Sequence, residues 1–273
     1  MTPPRIHVLP ADRSPAAVVM RRGPSRWWHV LRWTLDPPGV EPGAWFHGRL
    51  YPRRCALSPG GDLLGYFALG GGPPPWDAYL AVSKVPWLSA LAAWHVGNTW
   101  YWGCEFLPDG RFAPGDDPPG PPTSGSYPAG LAPPSPPRTI AHPDRWRGRD
   151  VQQELRRGWV EDTAADQALV LRRPQPGSAE VRLVLIHSGH DFAEPGVEGA
   201  EIGYALDRGG EATPLPEIAW ADWDGNGRLL VATRSGELRI AELTGAGLET
   251  TWAFDLSTAR PDPTPAPQWA ASW

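Results

Sequence analysis

Three stretches of this 273-residue chain bring chemically capable side chains close together in sequence. Asp222-Trp223-Asp224-Gly225-Asn226-Gly227 has the opening pattern of a calcium loop, D-x-D-G-N-G. A hard cation needs several oxygens, with a bidentate carboxylate at the twelfth loop position. Counting from Asp222, that position is Thr233, which supplies no carboxylate. The expected structure is therefore a hairpin turn in which Asp, Gly and Asn provide the backbone angles. His187-Ser188-Gly189-His190-Asp191 offers two imidazoles and a carboxylate, donor types that suit a transition metal. No other His or Cys is near in sequence, so a surface turn is expected there too. Neither a metal nor a cofactor is assigned.

The third stretch is aromatic. Trp76, Trp87, Trp94, Trp100 and Trp102 fall within 27 residues. Indole faces can stack on sugars, bases or cations. Most of these rings are expected to wedge between neighbouring sheets. Lys84-Val85-Pro86-Trp87 is the exception, pairing the only lysine of the chain with a tryptophan. It falls in an expected loop, where binding residues concentrate. The candidate ligand-binding residues are Lys84, Trp87, Trp100 and Trp102. No G-x-S-x-G elbow, G-x-x-x-x-G-K-[ST] phosphate loop or helix-opening G-x-G-x-x-G is present. Ser58 lies inside a turn motif, and no catalytic residue is assigned.

These residues must be positioned by short strands. Trp45 to Leu69 contains Arg54–Leu57 and Leu63–Phe67 around a Ser-Pro-Gly-Gly turn. Residues 55–63, C-A-L-S-P-G-G-D-L, and residues 104–112, C-E-F-L-P-D-G-R-F, share C-x-Φ-x-P-x-G-x-Φ, where Φ is apolar. Residues 221–229, A-D-W-D-G-N-G-R-L, keep the Φ, Gly and Φ positions. A hairpin returning after about fifty residues marks a repeated all-β architecture. Strands are also expected at 5–9, 16–20, 77–82, 168–171, 181–187 and 202–206. Residues 26–35 fit a strand covered on both faces, with a helix not excluded by periodicity, and Asp36-Pro37-Pro38-Gly39 ends that run. Residues 149–157 fit a helix or an edge strand. The clearest unit is 218–254, four strands joined by Gly-containing turns. Residues 114–137 hold ten prolines, expected to prevent regular sheet and form a flexible insertion.

The 35 Pro and 31 Gly argue against long helices. The 16 Trp can fill a core, each enclosed ring burying roughly 150–250 Å². Net charge is −5 and the arginines are dispersed, which excludes the basic stripe of a nucleic-acid binder. No apolar run reaches about 18 residues, so no membrane span is expected. The first residues lack an apolar signal region, and two Cys suit a reducing compartment, so a cytoplasmic protein is expected. Cys55 and Cys104 occupy equivalent repeat positions and are expected as buried, unbridged thiols.

The segments LSPGGDLLGYFA and WDGNGRLLVATRSGELRIAEL resemble the blade hairpins of β-propellers of the WD40-like and TolB-like kind. Ser58, Pro59 and Gly61 match the S-P-D-G turn, with Gly60 in place of Asp; Pro108, Asp109 and Gly110 match it with Leu107 in place of Ser. The segments around Arg54–Phe67 and Trp94–Phe106 also resemble an uncharacterised bacterial protein group, which implies no activity. The propeller resemblance implies a disc whose top face binds partners or ligands. The expectation is a single domain over 1–273, β-propeller-like, of about five four-stranded antiparallel units. Its expected role is non-enzymatic binding of another protein, as a monomer. A hydrolase with a site at the channel mouth and a carbohydrate or small-ligand binder using clustered Trp are the alternatives. Fold alone does not choose among them.

Overall fold

The computed structural model describes residues 3–70, 77–97, 99, 101, 103–115, 120–132, 151–162, 169–178, 180–188, 201–245 and 247–273. The architecture is all-β. The first strands are β1 (Arg5–Pro10), β2 (Ala16–Arg22), β3 (Trp27–Leu35) and β4 (Pro38–His47). Next come β5 (Arg49–Leu50), β6 (Ala56–Leu57), β7 (Leu63–Leu69), β8 (Tyr79–Lys84) and β9 (Ala92–His95). They are followed by β10 (Cys104–Phe106), β11 (Phe112–Pro114) and β12 (Ser124–Gly125). After helix α1 (Gln152–Arg156) come β13 (Val160–Glu161), β14 (Leu169–Pro174), β15 (Val181–Ser188), β16 (Glu201–Arg208) and β17 (Glu211–Pro214). The last four are β18 (Ile218–Trp223), β19 (Leu229–Thr233), β20 (Glu237–Thr244) and β21 (Gly247–Asp255).

The sheets are open paths of mostly sequential neighbours: β1-β2-β3-β4, β12-β9-β8-β7-β5 with β6 also on β7, β10-β11, β13-β14-β15-β16-β17, and β18-β19-β20-β21. Every described strand pairing is antiparallel. The chain divides into two compact units, one of Met1–His7 with Val151–Ala259 and one of Val8–Asp150 with Arg260–Trp273.

Successive side chains of a strand point to opposite faces, and in β7 both faces are used. Leu64, Tyr66 and Ala68 join Val18, Met20, Trp28 and Val30 of the first sheet in one core cluster. Phe67, from the other face, joins Trp94, Cys104 and Phe112 in a second. The sheet containing β7 is thus packed between the β1–β4 sheet and the β10-β11 hairpin. The other unit repeats the device: Leu169, Leu171, Leu183, Leu185 and Tyr204 pack with Ile218, Trp223, Leu229 and Val231. Apolar sheet faces, each too exposed to stand alone, are buried on a neighbouring sheet.

The three copies of the repeat are three hairpins that share a glycine turn, the first closing from the Ser58 N–H to Leu63 and the other two one residue earlier, from Leu107 to Arg111 and from Asp224 to Arg228. Gly61, Gly110 and Gly227 have φ of +80°, +89° and +79°, which glycine adopts without steric cost. Their N–H groups donate to the carbonyls of Ser58, Leu107 and Asp224 at 2.8, 2.8 and 3.2 Å. Cys55 and Cys104 are both buried, and they are not joined in a disulfide. Within 26–35, Trp27–Leu35 form a strand, not a helix, and Gln152–Arg156 form a short helix.

Two expectations give way. Pro38 and Gly39, read as part of the stop that ends the preceding run, open the ten-residue strand β4, paired with β3 from Leu35–Pro38 to Trp27–His47 around a bulge. Proline cannot donate to a ladder, but Pro38 and Pro42 lie on the outer strand of the sheet, where that is tolerated. Within the proline-rich stretch, Ser124 and Gly125 pair with Ala93 and Ala92 as a short edge strand. Trp94 Nε1 donates to the Gly120 carbonyl at 3.1 Å, and Tyr127 stacks on Trp94 at 5.9 Å. Here too the proline-bearing segment enters the sheet only at its edge.

Candidate functional site

The candidate calcium loop is a turn closed by arginine. Asp224 accepts the N–H groups of Asn226 and Arg228, each at 2.9 Å, and Arg228 Nε at 2.7 Å. Buried Asp222 accepts Arg157 Nε at 2.5 Å, Arg173 Nη1, and the Trp223 N–H at 2.9 Å. The carboxylate lone pairs a cation would need are directed at donors. His187 ends up in β15 opposite Leu169 and Ile202; Gly189, His190 and Asp191 lie outside the described residues. Among the described residues, no three His, Cys, Asp or Glu are grouped to hold a metal ion. No described helix is long and apolar enough to cross a membrane.

Of the four candidate binding residues, Trp100 and Trp102 lie outside the described residues, as does Trp76. Lys84 and Trp87 stay together in one turn, with the Trp87 N–H donating to the Lys84 carbonyl at 2.8 Å. The turn packs against β4, where the Ala44 N–H donates to the Pro86 carbonyl at 3.1 Å. Both side chains are half-buried. Lys84 Nζ donates to the backbone carbonyl of Trp269 at 3.0 Å.

A second group of aromatics is assembled by strand register. β3 and β4 each carry W-x-H, as Trp27-Trp28-His29 and Trp45-Phe46-His47. Antiparallel pairing sets Trp27 opposite His47 and His29 opposite Trp45. Because i and i+2 share a face, all four rings lie on one side of the sheet. His29 stacks on Trp45 at 4.1 Å and 9°, and His47 tilts against Trp27 at 4.9 Å. The two indoles meet edge to face at 6.4 Å and 79°. On β2, Arg21 pairs with His29, completing the row Arg21–His29–Trp45.

This face is graded. Inward it runs through Val19 and Leu31 to Ala17 and Trp33, all buried. At its open end Trp27 and Trp45 are half-buried and His47 is exposed. Beneath them His29 is 6% exposed, and neither ring nitrogen meets a hydrogen-bond partner among the described residues. Burial first, and the Arg21 guanidinium second, bring its pKa down to about 4. The imidazole is therefore neutral near pH 7, with one donor and one acceptor nitrogen. An uncompensated buried polar group costs about 1–3 kcal/mol, so this one calls for a reason beyond packing.

Cys55 contributes no nucleophile at neutral pH. Burial pushes Cys55 up to about 12, and its Sγ donates to the Tyr51 carbonyl at 3.2 Å. Sequence reasoning missed the aromatic quartet because its two halves belong to different strands, one of them proline-bearing. The doubled W-x-H spacing was its one visible signal. No protein-family model matches the chain, and no curated protein matches it.

Proposed function

We propose that the chain is a binding module on a β-propeller-like set of stacked antiparallel sheets, and that it recognises another protein through the open end of its first sheet. The observation carrying this reading is the half-buried Trp27–Trp45 pair, flanked by exposed His47, above a buried imidazole with unused hydrogen-bonding capacity. Half-exposed indoles supply large contact area at low entropic cost, which is why tryptophan is enriched at the centres of interfaces. The glycine turn shared by three hairpins and the face-to-face packing of small sheets support the propeller-like architecture. Arginine pairing at Asp207, Asp222 and Asp224, with protonated Cys55, supports binding over hydrolysis.

The test is affinity capture from the source organism with the wild-type chain and with a Trp27→Ala/Trp45→Ala variant of unchanged circular dichroism. A protein retained by the wild type and lost by the variant is expected. Equal retention by both would place recognition elsewhere.

A second reading has its own observation. On β21, Trp252 and Phe254 lie nearly parallel, at 9° with centroids 6.1 Å apart, and Phe254 is exposed. Parallel rings along a strand make a platform of the kind a saccharide ring stacks on. Quenching of tryptophan fluorescence by oligosaccharides, lost in Trp252→Ala, is the outcome that would favour it.

A further inference from the structure

The lysine singled out by its sequence context has a ligand within its own chain. Residues 260–273 belong to the same compact unit as Lys84 and Ser126. They carry no strand and a single turn of 3-10 helix, Gln268–Ala270. Three anchors hold them. Lys84 Nζ takes the Trp269 carbonyl at 3.0 Å, Trp273 Nε1 donates to the Ser126 carbonyl, and Ala270 is completely enclosed. Ser126 is itself fixed to the second sheet, its N–H donating to the Leu91 carbonyl at 3.2 Å.

The attachment is of the kind a peptide makes with a receptor. The backbone–backbone hydrogen bonds described for 260–273 are local, from Ala270 to Pro267 and from Ala271 to Gln268. No sheet ladder has to break for the segment to leave. Trp269 and Trp273 keep 50% and 42% of their surface exposed, so the docked segment is not a core element. The anchors also divide by what they can read. An ammonium on a backbone carbonyl accepts any sequence, an enclosed methyl admits only a small side chain, and the Ser126 carbonyl selects a side chain whose donor reaches it as the Trp273 indole N–H does.

We propose that the surface between the end of β8 and Ser126 is a peptide-recognition site that reads a small residue followed three positions later by tryptophan. Residues 260–273 are its resident occupant, and the same segment of a second copy is the partner that exchanges with it. Tethering keeps the local segment at high effective concentration, so the resident form dominates until the segment is displaced. The proposal is independent of the aromatic face on the first sheet.

The test uses the full chain with one protease site inserted between Ala259 and Arg260, cleaved after folding. A fluorescent synthetic peptide of residues 260–273 is added, and its incorporation is followed by anisotropy. Saturable incorporation is expected. A peptide with Trp273→Phe, which keeps the ring and loses the N–H, should bind about fivefold more weakly, the usual worth of one hydrogen bond. A peptide with Ala270→Leu should bind at least about tenfold more weakly, because the enclosed site cannot take the added volume. Lys84→Met in the chain should weaken all three peptides by a common factor. Absence of incorporation, or equal affinity for the three peptides, would overturn the proposal.

Discussion

Two polar sites, one in each compact unit, are buried in opposite ways. In one, Asp222 is enclosed at the end of the β18–β19 hairpin and met by two guanidiniums, Arg157 and Arg173, which are 15% and 16% exposed. Asp207 follows the same pattern with Arg172 at 3.1 Å, and Asp224 with Arg228 at 2.7 Å. In the other, His29 sits in the middle of a three-strand row with neither nitrogen matched among the described residues. The neighbour that could have been a partner, Arg21, is cationic, and its Nη1 donates to the Gly23 carbonyl at 2.6 Å. The paired carboxylates make a closed arrangement with nothing left to offer. The histidine leaves an open requirement beneath two half-buried indoles, and this contrast is what distinguishes a structural polar cluster from a candidate recognition surface.

The largest effect should come from breaking the closed arrangement. Asp222→Ala would leave two guanidiniums without their shared carboxylate, a change that costs about 3–5 kcal/mol at buried ion pairs. Urea unfolding of the full chain measures it; a loss below about 1 kcal/mol would remove the contrast.

The next effect belongs to the histidine and appears in acid. Its folded pKa of about 4 lies below the unfolded 6.5, so between those values the unfolded chain binds a proton that the folded chain refuses. Stability is full above pH 6.5 and falls toward pH 4, by about 3 kcal/mol at 1.36 kcal/mol per unit. His29→Phe should flatten that slope relative to wild type. At pH 7 the same variant should be within about 1 kcal/mol of wild type, since an apolar ring of similar shape replaces two unmatched nitrogens. A strong loss at pH 7 would mean that His29 is satisfied in solution and that the contrast is false.

The smallest effect calibrates the others. Arg239 Nη2 meets Glu237 Oε2 at 2.5 Å, but the two side chains are 35% and 29% exposed. Arg239→Gln should therefore cost less than about 1 kcal/mol in the same unfolding assay.

How much of this was legible beforehand depended on how local the cause was. The hairpin turns were readable because a positive φ at Gly61, Gly110 and Gly227 needs a residue visible in three aligned segments. The four strands of the last sheet were readable because glycine turns separate apolar runs. β4 was not, since Pro38, Gly39, Pro42 and Gly43 mimic a loop and only its outer position in the sheet explains their tolerance. The aromatic quartet depended on that same strand, so it was hidden with it. Lys84 was found from its type and spacing, but the identity of its nearest acceptor, 185 residues away, is a tertiary fact that no local pattern carries.

The contact between Gly43 and the turn at Pro86 has a further consequence. A Cβ at position 43 would collide with the Pro86 carbonyl, which also takes the Ala44 N–H. Exposed strand margins invite other chains to add on, and many proteins guard them with charge or a covering loop. Here the covering loop is admitted only because one residue has no side chain. Enlarging Gly43 would lift that cover from the margin of β4, and the first symptom to look for would be clumping on the bench well before any change in melting temperature.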